Sequence, residues 1–563
     1  MNKIKMFCKL LSYMGNKKFF YFFALVGTCL TYTIVQIFTS LATREFVDYI
    51  LNSDVNTIIR AIVFIIVAIL STAVIYPLLT YKYHMYVKET IIVMRKELHS
   101  HIQLLPQKLF DDLSKGDLIT RLNNDISIVE NIYGDYLDCI VTALIWGLGS
   151  VVVLFKLNVW MALYIIVLGI AYLAINTNYM KRIAKLAEER QENASNMSNR
   201  INDVLSGIEI IKTFCLNTIM SERFNRTNAG YKSSSIKLAK QNAQLAGITF
   251  AINILGSFGT ILIGSYLYYK DLVDYGSVIA AITLQNGVVY MFLNLGSYIN
   301  QMQVALVGAK RILEILEEKT EEKNKEAIDI LGNECIEMKN IEFSYQDRKI
   351  LNNVSIKIKK GEKVVIIGPS GSGKSTILKL LLRFYEPDGG DIFISDVDAK
   401  SFDQDKLRSE IGYVPQESYI FKDSIKNNII MDSEFDHLKF EECKRLAVIE
   451  NLLNEHEKNE DTVIGEGEVS GGEKQRLGIA RACYNLKSLY LLDEATSALD
   501  NATEEKVLNG FMKFAKDKTV IMVTHRFSSL KHFERFIYLN NGVIEEIEIG
   551  DLKNETDFLK LYC

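Results

Sequence analysis

Six apolar runs of about bilayer-crossing length dominate the first 300 or so residues, and mixed, charged sequence with short alternating strands follows them. The runs cover about Phe19–Leu41, Ile58–Leu79, Ile132–Leu154, Val159–Ile175, Ile248–Tyr268 and Val278–Tyr298. A segment in lipid must satisfy its own backbone N–H and C=O groups, so each run is predicted to be a helix. The fourth run is short, and the sixth carries polar residues. About 70 residues between the fourth and fifth runs keep helical patterning without a proline. Folded as two extensions of about 35 residues each, they reach roughly 50 Å beyond the bilayer. Ahead of the first run, Ile4, Phe7, Leu10, Leu11 and Met14 form either one face of a short interfacial helix or part of a frayed basic terminus.

Charge then orients the bundle. Lys3, Lys5, Lys9, Lys17 and Lys18 precede the first run, and the long segments after the second and fourth runs are rich in Lys and Arg. Positive loops stay in the cytoplasm, which puts the N-terminus there. Six crossings return the chain to the same side, where ATP is found. Ser40-Leu41-Ala42 faintly resembles a signal-peptide cleavage site, but the apolar stretch before it exceeds the usual core, so an uncleaved anchor is predicted. The expected domains are a membrane domain over 1–316, a linker over 317–333 and a soluble domain over 334–563. The lysine-rich acidic run Glu317–Glu326 reads equally as linker or as solvated helix tail.

In the soluble part, Ile336–Phe343 alternates as an edge-type strand. The apolar strand Val364–Ile367 leads into Gly368-Pro369-Ser370-Gly371-Ser372-Gly373-Lys374-Ser375-Thr376, followed by a helical run from Ile377. That strand–loop–helix context fits the phosphate loop G-x-x-x-x-G-K-[ST]. Its glycines let backbone wrap an anion, Lys374 reaches the outer phosphates, and Ser375 holds Mg²⁺. A second apolar strand, Leu489–Leu492, ends in Asp493-Glu494. Asp493 belongs near Mg²⁺, and Glu494 is placed to polarise an attacking water.

The net charge of −4 argues against a nucleic-acid-binding surface. The eight cysteines show no metal or disulfide spacing.

Further residues carry a family resemblance. Ser470-Gly471-Gly472-Glu473 with Lys474-Gln475-Arg476 resembles the signature of ATP-binding-cassette (ABC) ATPases. In the family's order, Tyr345 resembles the adenine-stacking aromatic, Gln416 the Q-loop, Ser497-Ala-Leu-Asp500 the D-loop and His525 the switch histidine. Phe110–Asp125 and Leu205–Phe214 resemble the two intracellular loops of bacterial ABC exporters of drugs, peptides or lipids. Two departures stand out. The signature has Val469 and Glu473 where Leu and Gln are usual, and Thr462–Glu468 resembles the exporter X-loop at about two residues under its usual spacing.

The resemblance implies an all-α six-helix transmembrane domain followed by an α/β P-loop domain of ABC type. It implies a half-transporter of the plasma membrane that pairs with an identical or related chain and sandwiches ATP and Mg²⁺ between one phosphate loop and the other chain's Ser470, Gly471 and Gly472. Gln416, Asp493 and Ser375 would hold the metal, and Glu494, His525 and Gln416 would serve hydrolysis. An ATP-gated module that does not pump, and an importer with the exporter fold, are the alternatives. Asn286, Tyr290, Asn294, Ser297 and Gln301 share one face of the sixth run and either contact cargo or hydrogen-bond to other helices. Few ionisable residues interrupt the spans, which favours an amphipathic cargo over a small ion.

Overall fold

The computed structural model describes residues 3–113, 115–321, 336–346, 348–450 and 459–547. The chain forms two compact units. One takes in Met1–Gln103 and Lys115–Glu318, the other Leu104–Ser114 and Lys319–Cys563. Most of the expected linker and the expected boundary at 334 lie outside the described residues.

The first unit has six helices long and apolar enough to cross a membrane. They are α1 (Lys18–Asn52), α2 (Val55–Gln103), α3 (Gly116–Leu157), α4 (Val159–Ser206), α5 (Asn217–Tyr269) and α6 (Tyr275–Glu317). Each contains one of the six apolar runs. The short fourth run is the start of a 48-residue helix, about 72 Å long at 1.5 Å per residue. Asn158 caps that helix by accepting from the backbone N–H groups of Trp160 and Met161. Gly207 ends it, and a small helix, Ile208–Thr213, fills the corner before Cys215 turns the backbone left-handed at φ +53° and α5 begins. The expected division of this stretch into two helical extensions thus falls at Gly207–Cys215, within the stretch Leu205–Phe214 that resembles an intracellular loop.

Among these helices α6 is the central one. Half of its most apolar window is buried, against 11% for α5. Its neighbours approach through glycines, as close membrane packing requires. A Cβ on Gly147 of α3 would lie 2.5 Å from Met291 Cβ, and one on Gly264 of α5 would lie 2.4 Å from Val278 Cγ1. Hydrogen bonds reach α6 from three sides. Ser40 donates to Ala280 O at 2.9 Å, Asn176 to Leu293 O at 3.1 Å and Thr260 to Gln285 Oε1 at 3.1 Å.

At the N-terminus, Lys3–Ser12 is helical and packs on the end of α6, where Lys9 meets Glu317 at 2.6 Å. Its fully buried residues are Met6 and Leu10, with Met14 just beyond, whereas Phe7 and Leu11 are only half-buried. The buried face therefore lies at i, i+4 and i+8 from Met6, because it is set by the helix it packs on rather than by a flat interface.

In the second unit two sheets share the core. A six-stranded sheet runs in the order β12 (Val543–Ile547), β11 (Arg535–Asn540), β3 (Lys363–Ile367), β10 (Thr519–Val523), β9 (Leu489–Asp493), β6 (Ile411–Val414), all parallel except β12. An antiparallel sheet runs in the order β2 (Arg348–Ile358), β1 (Ile336–Tyr345), β4 (Gly389–Ile394), β5 (Val397–Asp398). Strand β1 is thus interior, not the edge its alternation implied. Alternation reports a sheet with one solvated face, and antiparallel sheets allow that for interior strands too. Ile336, Met338, Ile341 and Phe343 face the core, and a bulge at left-handed Asn340 (φ +50°) keeps both sets inward. All five residues of β3 are buried, with Val364 and Ile366 in one apolar cluster and Val365 and Ile367 in the other.

Candidate nucleotide site

The phosphate loop joins the end of β3 to helix α7 (Lys374–Leu381). Gly368, Gly371 and Gly373 take positive φ of 149°, 80° and 104°. A Cβ on Gly368 would fall 2.1 Å from Leu539 O, so this position admits only glycine. Pro369 and Ser370 complete the turn before Gly371, and Ser372 Oγ is buried with no hydrogen-bond partner among the described residues. An orphaned hydroxyl inside a ring of backbone N–H groups fits an anionic ligand.

Lys374 is buried, and its Nζ donates to Gly368 O and Pro369 O, both at 2.8 Å. Burial pushes its ammonium below the ordinary lysine range, opposed by the charges of Glu494 and Asp493. Ser375 donates to Asp493 Oδ1 at 2.8 Å. Burial raises the Asp493 carboxyl above its usual value, and the Ser375 bond opposes that. A hydroxyl and a carboxylate held together beside the loop are the donor types a hard divalent cation takes. Tyr345, at the end of β1, packs edge-on against Tyr385 with ring centroids 5.2 Å apart.

Glu494 follows β9 with a left-handed φ of 47°, uncommon for a non-glycine residue. Its N–H is fixed on Val523 O at 2.9 Å, which ties it to the neighbouring strand. Two side chains hold the carboxylate. Gln416 donates to Oε2 at 3.1 Å, and His525 Nε2 lies 2.8 Å from Oε1. Burial, and then the charge of Lys374, lower the His525 pKa, against the charge and hydrogen bond of Glu494, which raise it. The sequence motifs at 416, 493, 494 and 525, and the loop Gly368–Thr376, therefore converge.

Ser470, Gly471 and Gly472 stand apart from that convergence. They open helix α8 (Gly471–Tyr484). Ser470 N–H donates to Glu473 Oε2 at 2.6 Å, and Ser470 Oγ accepts from Glu473 N–H at 3.3 Å. This is a capping box, and it explains the departure at 473. A carboxylate does there what an amide would do, and the helix N-terminus favours its charge. The S-x-x-E spacing carried this signal in the sequence. Glu466 in the shortened X-loop bonds Lys474 Nζ at 2.6 Å and accepts from Ile420 N–H at 3.0 Å, linking the stretch after Gln416 to α8.

Three further residues shape the site, none of which the sequence gave a role of its own; Gln475 entered only as part of the signature stretch Lys474-Gln475-Arg476. Gln475 sits between α8, Glu494 and the D-loop. Glu504, on helix α9 (Asn501–Phe514) and 1% exposed, accepts from Thr496 at 2.9 Å, Ser528 at 2.9 Å, Ser529 at 2.6 Å and Arg526 at 3.0 Å. Arg526 in turn donates to Ser497 O at 2.6 Å and Leu499 O at 2.7 Å. No sequence spacing marks a buried acid with four donors drawn from two distant segments. Glu504→Ala removes the acceptor of the buried Thr496 and Ser529 hydroxyls and the carboxylate beside the partly exposed Arg526, and we expect a loss of about 1–3 kcal/mol. A thermal scan of the purified full-length protein measures it as a lowered transition of the nucleotide unit.

A phosphate loop backed by an Asp-Glu strand end, in a chain that also carries six membrane-length helices, defines a membrane-bound P-loop ATPase. Residues 18–292 match the ABC transporter transmembrane region, and residues 351–497 match the ABC transporter ATPase family. An ABC transporter ATP-binding protein of Bacillus subtilis, YwjA, itself uncharacterised, is 30% identical over 85% of this chain and 84% of its own length. A protein provisionally named as an export ATP-binding/permease protein, from Rickettsia bellii, is 30% identical over 80% of each chain. A bacterial Atm1-family ABC exporter, solved with ATP bound, shares the fold with a TM-score of 0.79 over 96% of each chain at 23% identity. The chain belongs to the ABC transporter family, as an exporter-type half-transporter that couples ATP hydrolysis to transport.

Proposed function

We propose that two copies, or one copy and a related chain, pair to export an amphipathic drug, lipid or peptide by alternating access. The proposed domains are residues 1–316 in the plasma membrane, a linker over 317–333 and a cytoplasmic nucleotide-binding domain over 334–563, with the N-terminus also cytoplasmic. The basic residues Lys3, Lys5, Lys9, Lys17 and Lys18 support that orientation. In this reading Gly368–Thr376 wraps the phosphates, with Lys374 on the outer ones, and Tyr345 stacks on adenine. Ser375, Asp493 and Gln416 would hold Mg²⁺, which supplies positive charge to the phosphate oxygens when bound. Glu494 polarises the attacking water while His525 and Gln416 fix its carboxylate. Ser470 and the backbone of Gly471 and Gly472 face the nucleotide of the other copy.

One observation carries the paired site. The chain's own loop is backed by Asp493, Glu494, Gln416 and His525, whereas the hydrogen bonds of Ser470 all lie within the start of its own helix. Its Oγ accepts from Glu473, which leaves the O–H free to donate outward. The test is complementation in lipid. A Lys374→Ala chain and a Gly471→Asp chain should each be inactive alone. Co-assembled, they rebuild one intact site from the loop of the second and the signature of the first, and ATPase activity should return. Absence of recovery in isolated mixed dimers contradicts the shared site.

For cargo, the polar row on α6 is the candidate surface. Asn286 and Gln301 are exposed, Asn294 donates to Tyr290 O of its own helix at 3.2 Å, and Gln301 donates to Ser297 at 3.2 Å. Bonds between helices are made instead by Ser40, Asn176, Thr260 and Gln285, which supports a cavity-facing row. Asn286→Ala with Asn294→Ala should abolish cargo stimulation of ATP hydrolysis while basal hydrolysis persists, as read in a stimulation screen over drugs, peptides and lipids.

A further inference from the structure

We propose that Gln475 is a positioning residue that locks the hydrolytic carboxylate to the signature helix, so that Glu494 is aligned only when α8 is correctly seated. The proposal rests on the paired-site reading above, in which the start of α8 meets the other copy's nucleotide.

The geometry is specific. Gln475 is 4% exposed and projects from the first turn of α8. Its Nε2 donates to Ser497 Oγ at 2.8 Å and lies 3.3 Å from Glu494 O and 3.4 Å from Gln416 O. Its Oε1 accepts from Ala498 N–H at 2.8 Å. One amide thus spans the signature helix, the Q-loop, the residue that polarises water and the D-loop. An amide nitrogen has two hydrogens, so Ser497 takes one and the two carbonyls share the other. Gly472, three residues earlier, leaves only 3.1 Å between a would-be Cβ and Ala498 O, so the signature glycines and the D-loop already touch. A shift of α8 therefore pulls on Ser497, Ala498 and the Glu494 carbonyl together. The left-handed Glu494 is anchored through its N–H on Val523 O at 2.9 Å and through its carbonyl, which accepts from Ser497 N–H at 3.0 Å, so displacement of the Ser497 end of this turn shifts its backbone and swings its carboxylate. A misplacement of about 1 Å at a reacting group costs about 10²-fold in rate.

Other residue types do not substitute. Methionine matches the length but removes all four contacts. Glutamate keeps the acceptor for Ala498 N–H and sets an oxygen against the carbonyls of Gln416 and Glu494.

The experiment uses the full-length transporter in lipid. Steady-state ATPase kinetics, fluorescent-nucleotide binding and ATP-dependent crosslinking between copies are measured for wild type, Gln475→Met, Ser497→Ala and the double variant. We expect Gln475→Met to lower kcat about tenfold to a hundredfold, with KM and nucleotide affinity within about twofold and the melting temperature unchanged. Ser497→Ala should lower kcat less, and the double variant should match Gln475→Met alone, because the Ser497 hydroxyl acts through the amide. A kcat within about twofold of wild type, a loss mirrored in nucleotide affinity or melting temperature, or strictly additive variants would each overturn the proposal. If wild-type copies fail to crosslink with ATP, the paired-site reading fails separately, whatever the variants do.

Discussion

Glu494→Gln is expected to reduce ATP turnover about 10²–10⁴-fold, the span a positioned general base contributes, while ATP binding holds or tightens. The substitution is nearly isosteric and leaves the strained φ at 494 unaffected, but an amide keeps a single oxygen, so it can accept from only one of Gln416 Nε2 and His525 Nε2. What disappears is the ability to accept a proton from water. The sign of the binding change follows from charge. Asp493 and Glu494 both lie within electrostatic reach of Lys374, and removing one of two carboxylates eases the approach of a polyphosphate. Single-turnover hydrolysis beside equilibrium nucleotide binding separates the two effects. Retained transport with hydrolysis lost would favour an ATP-gated device over a pump.

Lys374→Ala should act on the opposite quantity. Its ammonium is buried at the mouth of α7 against two loop carbonyls, where a phosphate oxygen is a stronger acceptor than either. Truncating one partner of a desolvated charge pair costs about 2–5 kcal/mol, so nucleotide affinity should fall at least about tenfold. Burial has already lowered the lysine pKa, and an arriving phosphate raises it again, so affinity for ATP should weaken as pH rises toward the lysine range. Titration calorimetry at two pH values measures both effects.

Much of the site was legible because its chemistry sits in contiguous motifs. Loop glycines at 368, 371 and 373 and the acid pair at the end of an apolar strand occupy positions that spacing defines, whereas the histidine after β10 was legible only through the order of the family's motifs. The six spans were equally plain, since bilayer thickness sets their length. The rest depended on three-dimensional neighbours. Gln475 was legible as part of the signature stretch but its contacts were not, and Glu504 looks like an ordinary helix residue until its donors fold against it. The interior place of β1 could not be read, because a period of two describes faces and not partners. The small helix at Ile208–Thr213 begins at a glycine inside an otherwise helical pattern, and a lone glycine there is compatible with either continuation or a corner. The role of Glu473 was readable, but from helix-capping rules rather than from the signature pattern.

The centrality of α6 bears on how such a chain can change over time. Its glycine-notched sides fix the shape of the bundle, and bulkier residues there meet neighbouring atoms at about two-thirds of van der Waals distance. Asn286 is exposed and Asn294 hydrogen-bonds within its own helix, whereas Tyr290 packs on Trp146 of α3 with ring centroids 5.3 Å apart and belongs to the scaffold. On the proposed reading, mutations can therefore retune what is carried without disturbing the architecture, so closely related exporters can share one scaffold and diverge in what they expel.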